Sequence, residues 1–287
     1  MSLFKKIPDY LRLIKFSHSV FALPFAFTGA LIAANGIPGL KQILLITIAM
    51  AGARSGAMGM NRIIDRKIDA LNPRTKNREI PSGVVRTGEA LFFTITAFVV
   101  LVFSAWMLNP LCLKLSPFVI LVLIAYSYTK RFTWLSHVVL GIAISLAPAG
   151  AWIAVRGTFA PAVLLLSSAV AFWIAGFDVF YAMQDTEFDK THGLYSIPAK
   201  FGIKKSLWIA RGFHLLTIGL LLSLMPVFKL TGFYLAGVLI ASALLLYEHS
   251  LIKAEDLSRL DMAFFNINGY ISITVFAFTL MDYLIPM

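Results

Sequence analysis

The sequence predicts an all-α, polytopic membrane protein with nine transmembrane helices. Apolar residues make up 59% of the chain and charged residues only 14%, and the mean hydropathy is +0.82. In soluble domains, about a quarter of all residues are usually charged. The composition therefore excludes an ordinary soluble protein, and the absence of alternating apolar and polar residues argues against a β-barrel.

Nine apolar stretches are long enough to cross the hydrocarbon core as helices, which takes about 20 residues. They cover residues 18–35, 42–60, 88–108, 111–128, 136–155, 160–180, 205–225, 230–247 and 263–284. Residues 1–17 predict a short helix in the cytoplasmic membrane interface, because Ile7, Tyr10, Leu11 and Ile14 recur at helical spacing. We expect the whole chain, residues 1–287, to form a single transmembrane domain.

The basic residues are distributed unevenly over the predicted loops. With the N-terminus in the cytoplasm, twenty of the 25 Lys and Arg residues lie on the cytoplasmic side and four on the opposite side. The odd number of spans then places the C-terminus on the opposite side. Topology and contact with anionic membrane lipid explain the net charge of +11, so we expect no nucleic-acid partner.

The two longest polar loops, residues 61–87 and 184–204, both fall on the cytoplasmic side and follow acidic helix ends. Two stripes of residues at helical spacing lead into them: Arg54, Asn61, Asp65 and Asp69 in the first, and Asp178, Tyr181, Asp185 and Asp189 in the second. Carboxylates beside a hydrocarbon interior are expensive and usually functional. We expect the two stripes to form one site at the cytoplasmic surface.

Oxygen ligands in this arrangement favour Mg²⁺ and phosphate. Mg²⁺ commonly binds one or two carboxylates together with substrate phosphates. Basic residues nearby, on the same predicted cytoplasmic side, can neutralise a departing diphosphate; they are Arg62, Arg66, Lys67, Arg74, Arg78, Lys130, Arg131 and Lys190. A substrate whose phosphates are bound at the membrane surface while its apolar part lies in the bilayer would be a polyprenyl diphosphate.

These residues give the chain a resemblance to the UbiA superfamily of intramembrane aromatic prenyltransferases, over nearly its whole length. The first signature, NxxxDxxxD, is Asn61, Asp65 and Asp69, and the second, YxxxDxxxD, is Tyr181, Asp185 and Asp189. The loops NPRTKNREIPSG and GLYSIPAKFG resemble the 4-hydroxybenzoate polyprenyltransferase branch and its relatives in menaquinone synthesis. Glu79 is a departure, since many relatives have proline there.

The resemblance implies nine transmembrane helices around a central cavity that opens laterally to lipid. It also implies a Mg²⁺-dependent transfer of a polyprenyl group to the ring of an aromatic acid, in the bacterial cytoplasmic (inner) membrane. The metal and, through it, the diphosphate would be bound by Asn61, Asp65, Asp69, Asp185 and Asp189.

The resemblance assigns further roles. Arg54 corresponds to a family arginine that faces the acceptor, and a guanidinium pairs well with a carboxylate; we assign Tyr181 and Asp178 to the acceptor as well. Tyr126 and Lys130 match a family tyrosine and lysine near the reacting carbon and the diphosphate. The predicted catalytic residues are thus Asp65, Asp185, Tyr126 and Lys130.

The acceptor that we expect is 4-hydroxybenzoate, and a dihydroxynaphthoate stays open as the alternative. Arg54 suits 4-hydroxybenzoate in ubiquinone synthesis and a dihydroxynaphthoate in menaquinone synthesis equally well, and neither the isoprenoid length nor the oligomeric state is indicated. A secondary transporter is the alternative from another class, but its acids should lie inside the spans and face a translocation path. A protein that only binds lipid phosphate would need the cations without the metal ligands.

Overall fold

The computed structural model describes residues 7–14, 22–254, 256–257, 259–262 and 266–285. All regular elements in these residues are helical, with no β-strand among them, which confirms the predicted all-α class. Residues 1–6 and 15–17 of the expected interfacial segment lie outside the described residues. The same holds for 18–21 of the first expected span and 263–265 of the last.

Twelve helices follow one another along the described chain, with one 3-10 turn, Met183–Asp185, between the seventh and the eighth. They are α1 (Ile7–Leu13), α2 (Ala22–Ala34), α3 (Leu40–Leu71), α4 (Thr87–Leu108), α5 (Pro110–Thr129), α6 (Ser136–Arg156), α7 (Val163–Ala182), α8 (Thr186–Thr191), α9 (Ile197–Phe228), α10 (Gly232–Leu251), α11 (Leu260–Met262) and α12 (Asn268–Leu284).

Seven segments of the described chain are long and apolar enough to cross a membrane: α3, α4, α5, α6, α7 with α8, α9 and α10. They correspond to seven of the nine expected spans and identify an integral membrane protein. The two remaining expected spans contain shorter helices, α2 with 13 residues and α12 with 17. A 13-residue helix is about 20 Å long, less than the hydrocarbon thickness of about 30 Å. The count of nine spans is therefore not confirmed.

The first acidic stripe lies within a helix, whereas the sequence predicted a loop over 61–87. α3 continues to Leu71, because residues spaced by four keep one polar face along an otherwise regular helix. It ends where Asn72 and Pro73 follow, since proline disfavours helical backbone at the preceding residue. The Oδ1 atom of Asn72 accepts the N–H of Arg74 at 2.9 Å, which stabilises a turn. The loop is thus reduced to residues 72–86.

The second expected loop, 184–204, is also largely helical. The 3-10 turn and α8 occupy its first part, and α9 begins at Ile197. Ser196 caps α9, since its Oγ accepts the N–H of Ala199 at 3.2 Å, and Pro198 suits the first turn because no hydrogen-bond donor is needed there. At Gly202 the backbone has a φ of +76°, a conformation that favours glycine and interrupts the regular helix near its start.

The described chain divides into two compact units. The first takes the described residues of 1–19 and 44–128, and the second those of 20–43 and 129–287. The first acidic stripe belongs to the first unit and the second stripe to the second unit.

In the first unit, α3 packs closely against α4 through small residues. A Cβ atom at Gly52 would lie 2.7 Å from the carbonyl oxygen of Ala97, and one at Gly59 would lie 2.2 Å from Oγ1 of Thr94. Only glycine permits these approaches, which is the usual function of small residues between membrane helices.

The helix α1 also belongs to the first unit. The expected helix is confirmed for residues 7–13, and its end packs into the unit, because Leu13 is fully buried in an apolar cluster with Ile80, Val85 and Ala90. Nε of Arg62 donates to the carbonyl oxygen of Leu13 at 3.2 Å. This bond ties the end of α1 to α3 next to the acidic stripe.

In the second unit, α7 packs against both α6 and α9 and is the most buried of the candidate spans. Its sequence is apolar on nearly all sides, as expected of a helix surrounded by protein. Close contact with α6 depends on Gly141, where a Cβ atom would lie 2.2 Å from the carbonyl oxygen of Ala171. α7 is therefore a rigid support for the second acidic stripe, which continues from its end.

Candidate active site

The first acidic cluster consists of Asn61, Asp65 and Asp69 on one face of α3. The two aspartates are 2% and 4% exposed. Nδ2 of Asn61 donates to Oδ2 of Asp65 at 3.1 Å and to Oγ of Ser127 on α5 at 3.3 Å. Both amide protons are thereby used, and Oδ1 of Asn61 accepts no hydrogen bond from the residues that the structure describes. Asn61 thus presents an oxygen beside a buried carboxylate.

The two carboxylate oxygens of Asp69 differ in their surroundings. Oδ1 pairs with Nη1 of Arg78 at 2.7 Å, whereas Oδ2 is buried and has no hydrogen-bond partner among the described residues. The hydroxyl of Thr75 donates to the backbone carbonyl of Asp69 at 3.0 Å and holds the turn after α3 in place. A buried carboxylate oxygen without a partner is costly. It is therefore a candidate ligand for a cation.

Arg54 lies on α3 two turns before Asn61, as the stripe predicts. Its Nε atom is buried and has no hydrogen-bond partner within the described part of the chain. Tyr126, near the end of α5, lies within electrostatic range of Arg54, Arg62 and Asp65. The structure thus brings Arg54, Tyr126 and the first acidic cluster together within one unit, with a guanidinium N–H left for an anionic group.

The predicted cations of the first unit have different environments. Arg66, Lys67 and Arg74 are exposed, and Arg78 is engaged with Asp69. Arg62 is only 3% exposed, and its Nε is occupied by the carbonyl oxygen of Leu13. A side chain buried in this way supports α1 more directly than it reaches a ligand.

The second acidic cluster consists of Asp178, Asp185 and Asp189, with Tyr181 on the same stripe. Oδ2 of Asp178 lies 2.7 Å from Nδ1 of His137, at the start of α6. Oδ2 of Asp189 accepts the hydroxyl of Ser196 at 2.8 Å. Each of these two carboxylates therefore has one oxygen fixed by a neighbouring side chain.

The basic residues of the second unit lie around this cluster. Asp189 is within electrostatic range of Lys130 and Asp185. The carbonyl oxygen of Lys130 accepts the N–H of Tyr195 at 2.7 Å, which joins two segments of the second unit, the turn before α6 and the segment before α9. Arg131 follows Lys130 in the chain and is half-buried, while Lys190 is exposed and pairs with Glu187 at 3.0 Å.

Three residues that hydrogen-bond to the two acidic clusters were not predicted from the sequence: His137, Ser196 and Thr75. His137 and Asp178 are 41 residues apart, and no periodicity links them. The hydroxyl of Ser196 could have been found, because serine before Ile-Pro at the start of a helix is a capping signal.

The residues present fit a magnesium ion better than a metal held by protein alone. Among the described residues, no three His, Cys, Asp or Glu side chains are grouped so that they could hold a metal ion by themselves. Mg²⁺ needs fewer protein ligands, because water and substrate phosphates complete its octahedron. The unpartnered Oδ2 of Asp69 and the free Oδ1 of Asn61 are hard oxygen ligands of the required kind.

The comparison with protein families shows which family this fold belongs to. Residues 22–270 match the family model of the UbiA prenyltransferase family. The chain belongs to the UbiA prenyltransferase family. Both acidic clusters, Arg54 and Tyr126 lie within the matched residues, so the predicted resemblance is confirmed.

Relatives and solved structures agree with this assignment to the UbiA family. The chain is 34% identical over 259 residues to a 4-hydroxybenzoate octaprenyltransferase of Vibrio cholerae, an alignment that covers 88% of both chains. The apo structure of a UbiA homolog from Aeropyrum pernix matches with a TM-score of 0.85 and 31% identity, covering 92% of this chain and 98% of that one.

A more distant UbiA homolog, from Archaeoglobus fulgidus, has been solved bound to DMAPP and Mg²⁺. It matches with a TM-score of 0.73 and 20% identity, covering 96% of this chain and 99% of that one. At this identity the likeness shows a shared fold. The shared fold covers nearly the whole chain.

Proposed function

We propose that this UbiA-family protein transfers a polyprenyl group from polyprenyl diphosphate to the ring of an aromatic acid, with 4-hydroxybenzoate as the acceptor and pyrophosphate as the second product. The observation that carries the proposal is the first acidic cluster. There, a buried oxygen of Asp69 has no hydrogen-bond partner among the described residues, and Asn61 donates to Asp65 one turn away. The curated relative from Vibrio cholerae, named for 4-hydroxybenzoate and an octaprenyl group, supports the choice of substrates.

We assign the metal ligands to both clusters. Asn61, Asp65 and Asp69 of the first unit, and Asp185 and Asp189 of the second, supply hard oxygen atoms suited to Mg²⁺. When bound, Mg²⁺ would neutralise charge on the diphosphate as it departs. The Archaeoglobus fulgidus homolog, solved with Mg²⁺ and DMAPP, supports a metal in this family.

The diphosphate itself is assigned to the basic residues of the two units. Arg66, Lys67 and Arg74 are exposed and can contact phosphate oxygens at the surface, and Arg78 can share its guanidinium with Asp69. Lys130, Arg131 and Lys190 take the same role in the second unit. Arg62 contributes its charge at longer range, because its side chain is held by Leu13.

We assign the aromatic acid to Arg54, with Tyr181 and Asp178. The buried Nε of Arg54 lacks a hydrogen-bond partner in the described chain, so a carboxylate of the acceptor would satisfy it. A guanidinium can also bind a carboxylate through two parallel hydrogen bonds, which orients the ring. Orientation matters because only one ring carbon is to be alkylated.

The proposed reaction uses these residues in the following way. The C1–O bond of the polyprenyl diphosphate breaks, and its electron pair leaves with pyrophosphate. A ring carbon ortho to the phenol oxygen attacks C1, and loss of the proton from that carbon restores aromaticity. The phenol rings of Tyr126 and Tyr181 can stabilise the developing allylic cation through their faces. Lys130 neutralises the departing oxygen, while Asp65 and Asp185 would hold the Mg²⁺ that supplies positive charge to the leaving group.

The proposed location is the bacterial cytoplasmic membrane, with the acidic clusters and the N-terminus on the cytoplasmic side. Seven candidate spans and the bacterial relative support this placement. The apolar part of the substrate would then remain in the bilayer, while its diphosphate reaches the aqueous surface where the basic residues lie.

The direct test is an assay of purified protein in lipid vesicles with Mg²⁺, octaprenyl diphosphate and 4-hydroxybenzoate. We expect release of pyrophosphate in equal amount to a prenylated 4-hydroxybenzoate identified by mass spectrometry. A parallel assay with 1,4-dihydroxy-2-naphthoate separates the two acceptors. A higher kcat/KM for the naphthoate would overturn the 4-hydroxybenzoate assignment, and no product with either acceptor would overturn the proposal as a whole.

A further inference from the structure

A histidine outside the family signatures joins two parts of the second acidic cluster. His137, in the first turn of α6, is 4% exposed. Its Nδ1 atom lies 2.7 Å from Oδ2 of Asp178 on α7, and its Nε2 atom lies 3.2 Å from the backbone nitrogen of Ile197, the first residue of α9. The imidazole ring therefore connects three helices of the second unit.

The hydrogen bonds determine where the ring carries its proton. The backbone N–H of Ile197 can only donate, so Nε2 of His137 must accept and be unprotonated. The proton consequently lies on Nδ1, from which it is donated to Asp178. This bond holds Oδ2 of Asp178 in place.

The other end of the bridge reaches a proposed metal ligand. Ile197 directly follows Ser196, whose hydroxyl donates to Oδ2 of Asp189 at 2.8 Å and accepts the N–H of Ala199 at 3.2 Å. Fixing the N–H of Ile197 therefore also fixes the backbone that carries the Ser196 hydroxyl. One ring thus sets the orientation of two carboxylates on the same acidic stripe.

We propose that His137 is a positioning residue of the prenyl transfer, one that orients Asp178 for the aromatic acceptor and, through Ile197 and Ser196, orients Asp189. The proposal rests on the proposed function for the roles of the two carboxylates. It assigns His137 no contact with the substrates and no transfer of a proton, since both of its nitrogen atoms are engaged within the protein.

Two variants separate the effect of the hydrogen bonds of His137 from the effect of the space that its side chain fills. In His137→Gln, the amide nitrogen can donate to Asp178 and the amide oxygen can accept from Ile197, so both bonds are retained. In His137→Leu, a side chain of similar size removes both. We expect His137→Leu to lower kcat/KM for the aromatic acid by about 10- to 100-fold, the effect typical of a lost hydrogen bond to a charged group. His137→Gln should keep most of the parent's kcat/KM. The control is His192→Leu, at an exposed histidine of the same unit, which should have the same kcat/KM as the parent protein.

The pH dependence distinguishes positioning from proton transfer. If His137 only orients its neighbours, the profile of kcat against pH should have the same shape in the parent and in His137→Gln. If kcat of the parent rises or falls over a pH range in which kcat of His137→Gln stays constant, the positioning role is overturned. Parental kcat/KM in a folded His137→Leu, or equal losses in both variants, would overturn it as well.

A second readout does not depend on activity. Hydrogen exchange of the Ile197 amide, followed by mass spectrometry of peptides spanning residues 194–201, should accelerate in His137→Leu and remain slow in the parent and in His137→Gln. Unchanged protection in His137→Leu would show that the ring does not hold α9. If the parent protein fails with every acceptor, the proposed function falls, and the exchange measurement still decides whether His137 forms the bridge.

Discussion

Asp69 combines two environments in one side chain, and its chemistry follows from the difference between them. Oδ1 is neutralised by Arg78, whereas the buried Oδ2 meets no donor in the described chain. A protein tolerates such an oxygen when a ligand pairs with it in the working state. The carboxylate is therefore held in one orientation by its arginine, and its other oxygen is left for a ligand.

The first prediction concerns the charge of this side chain. Asp69→Asn keeps the shape but removes the negative charge, so we expect kcat to fall by about 100-fold and the Mg²⁺ concentration for half-maximal activity to rise. Pyrophosphate release across a Mg²⁺ titration measures both. Glu79→Gln, an acid of the neighbouring loop without a proposed ligand role, should behave like the parent. Normal turnover and Mg²⁺ dependence in Asp69→Asn would refute the ligand assignment.

The second prediction concerns Arg54 and the carboxylate of the acceptor. Arg54→Lys keeps the positive charge but loses the planar pair of N–H donors, so we expect KM for 4-hydroxybenzoate to rise by about 10- to 100-fold. KM for the diphosphate should not change. The methyl ester of 4-hydroxybenzoate is the matched control, because it lacks the carboxylate and should be used equally by both proteins. An unaltered KM for the acid would remove Arg54 from the acceptor site.

At the level of elements, small residues decide how closely the helices pack. Gly141 and Gly150 both lie in α6, but only Gly141 faces another backbone. The neighbouring atom is the carbonyl oxygen of Ala171, which no change of side-chain rotamer can move away. The two glycines thus form a matched pair within a single helix.

The third prediction compares these two glycines. Gly141→Ala should separate α6 from α7 and destabilise the protein by about 1–3 kcal/mol, the usual cost of overpacking. Gly150→Ala has no atom within 4 Å of the new methyl group and should be neutral or stabilising by up to about 1 kcal/mol, because alanine favours helix. Thermal unfolding in detergent measures both midpoints. Equal midpoints would show that α6 and α7 do not approach as closely as described.

Helix boundaries show where sequence patterns are informative and where they are not. The hydropathy pattern located seven spans correctly, since apolar length is a direct requirement of the bilayer. It placed the end of α3 too early, because it treated polar residues after Asn61 as loop although helical periodicity continued to Leu71. A polar face within a helix and a polar loop have the same composition, and only the spacing of four distinguishes them.

At the scale of the whole molecule, the sequence predicted which acidic residues share a helical face better than it predicted the contacts between distant helices. The residues of each acidic stripe are close in sequence, so the helical period of about 3.6 residues was enough to place them on one face. His214 and His249, by contrast, lie 35 residues apart, and the structure pairs them at 2.9 Å between α9 and α10. Glu248 is fully buried beside them and accepts the side-chain N–H of Asn268 at 2.7 Å. Such polar contacts between distant helices depend on tertiary packing, which no local pattern encodes.

The last prediction tests the orientation of the protein in the membrane. The positive-inside distribution places the turn after α6 on the side opposite the cytoplasm and the turn after α8 in the cytoplasm. Thr158 and His192 are exposed in these two turns. In a Cys112→Ser background, which removes the single natural cysteine, a membrane-impermeant maleimide applied to spheroplasts should label Thr158→Cys and spare His192→Cys. Permeabilised cells should label both, since both side chains are exposed. The reverse labelling pattern would place the acidic clusters outside the cytoplasm, where cytoplasmic substrates could not reach them.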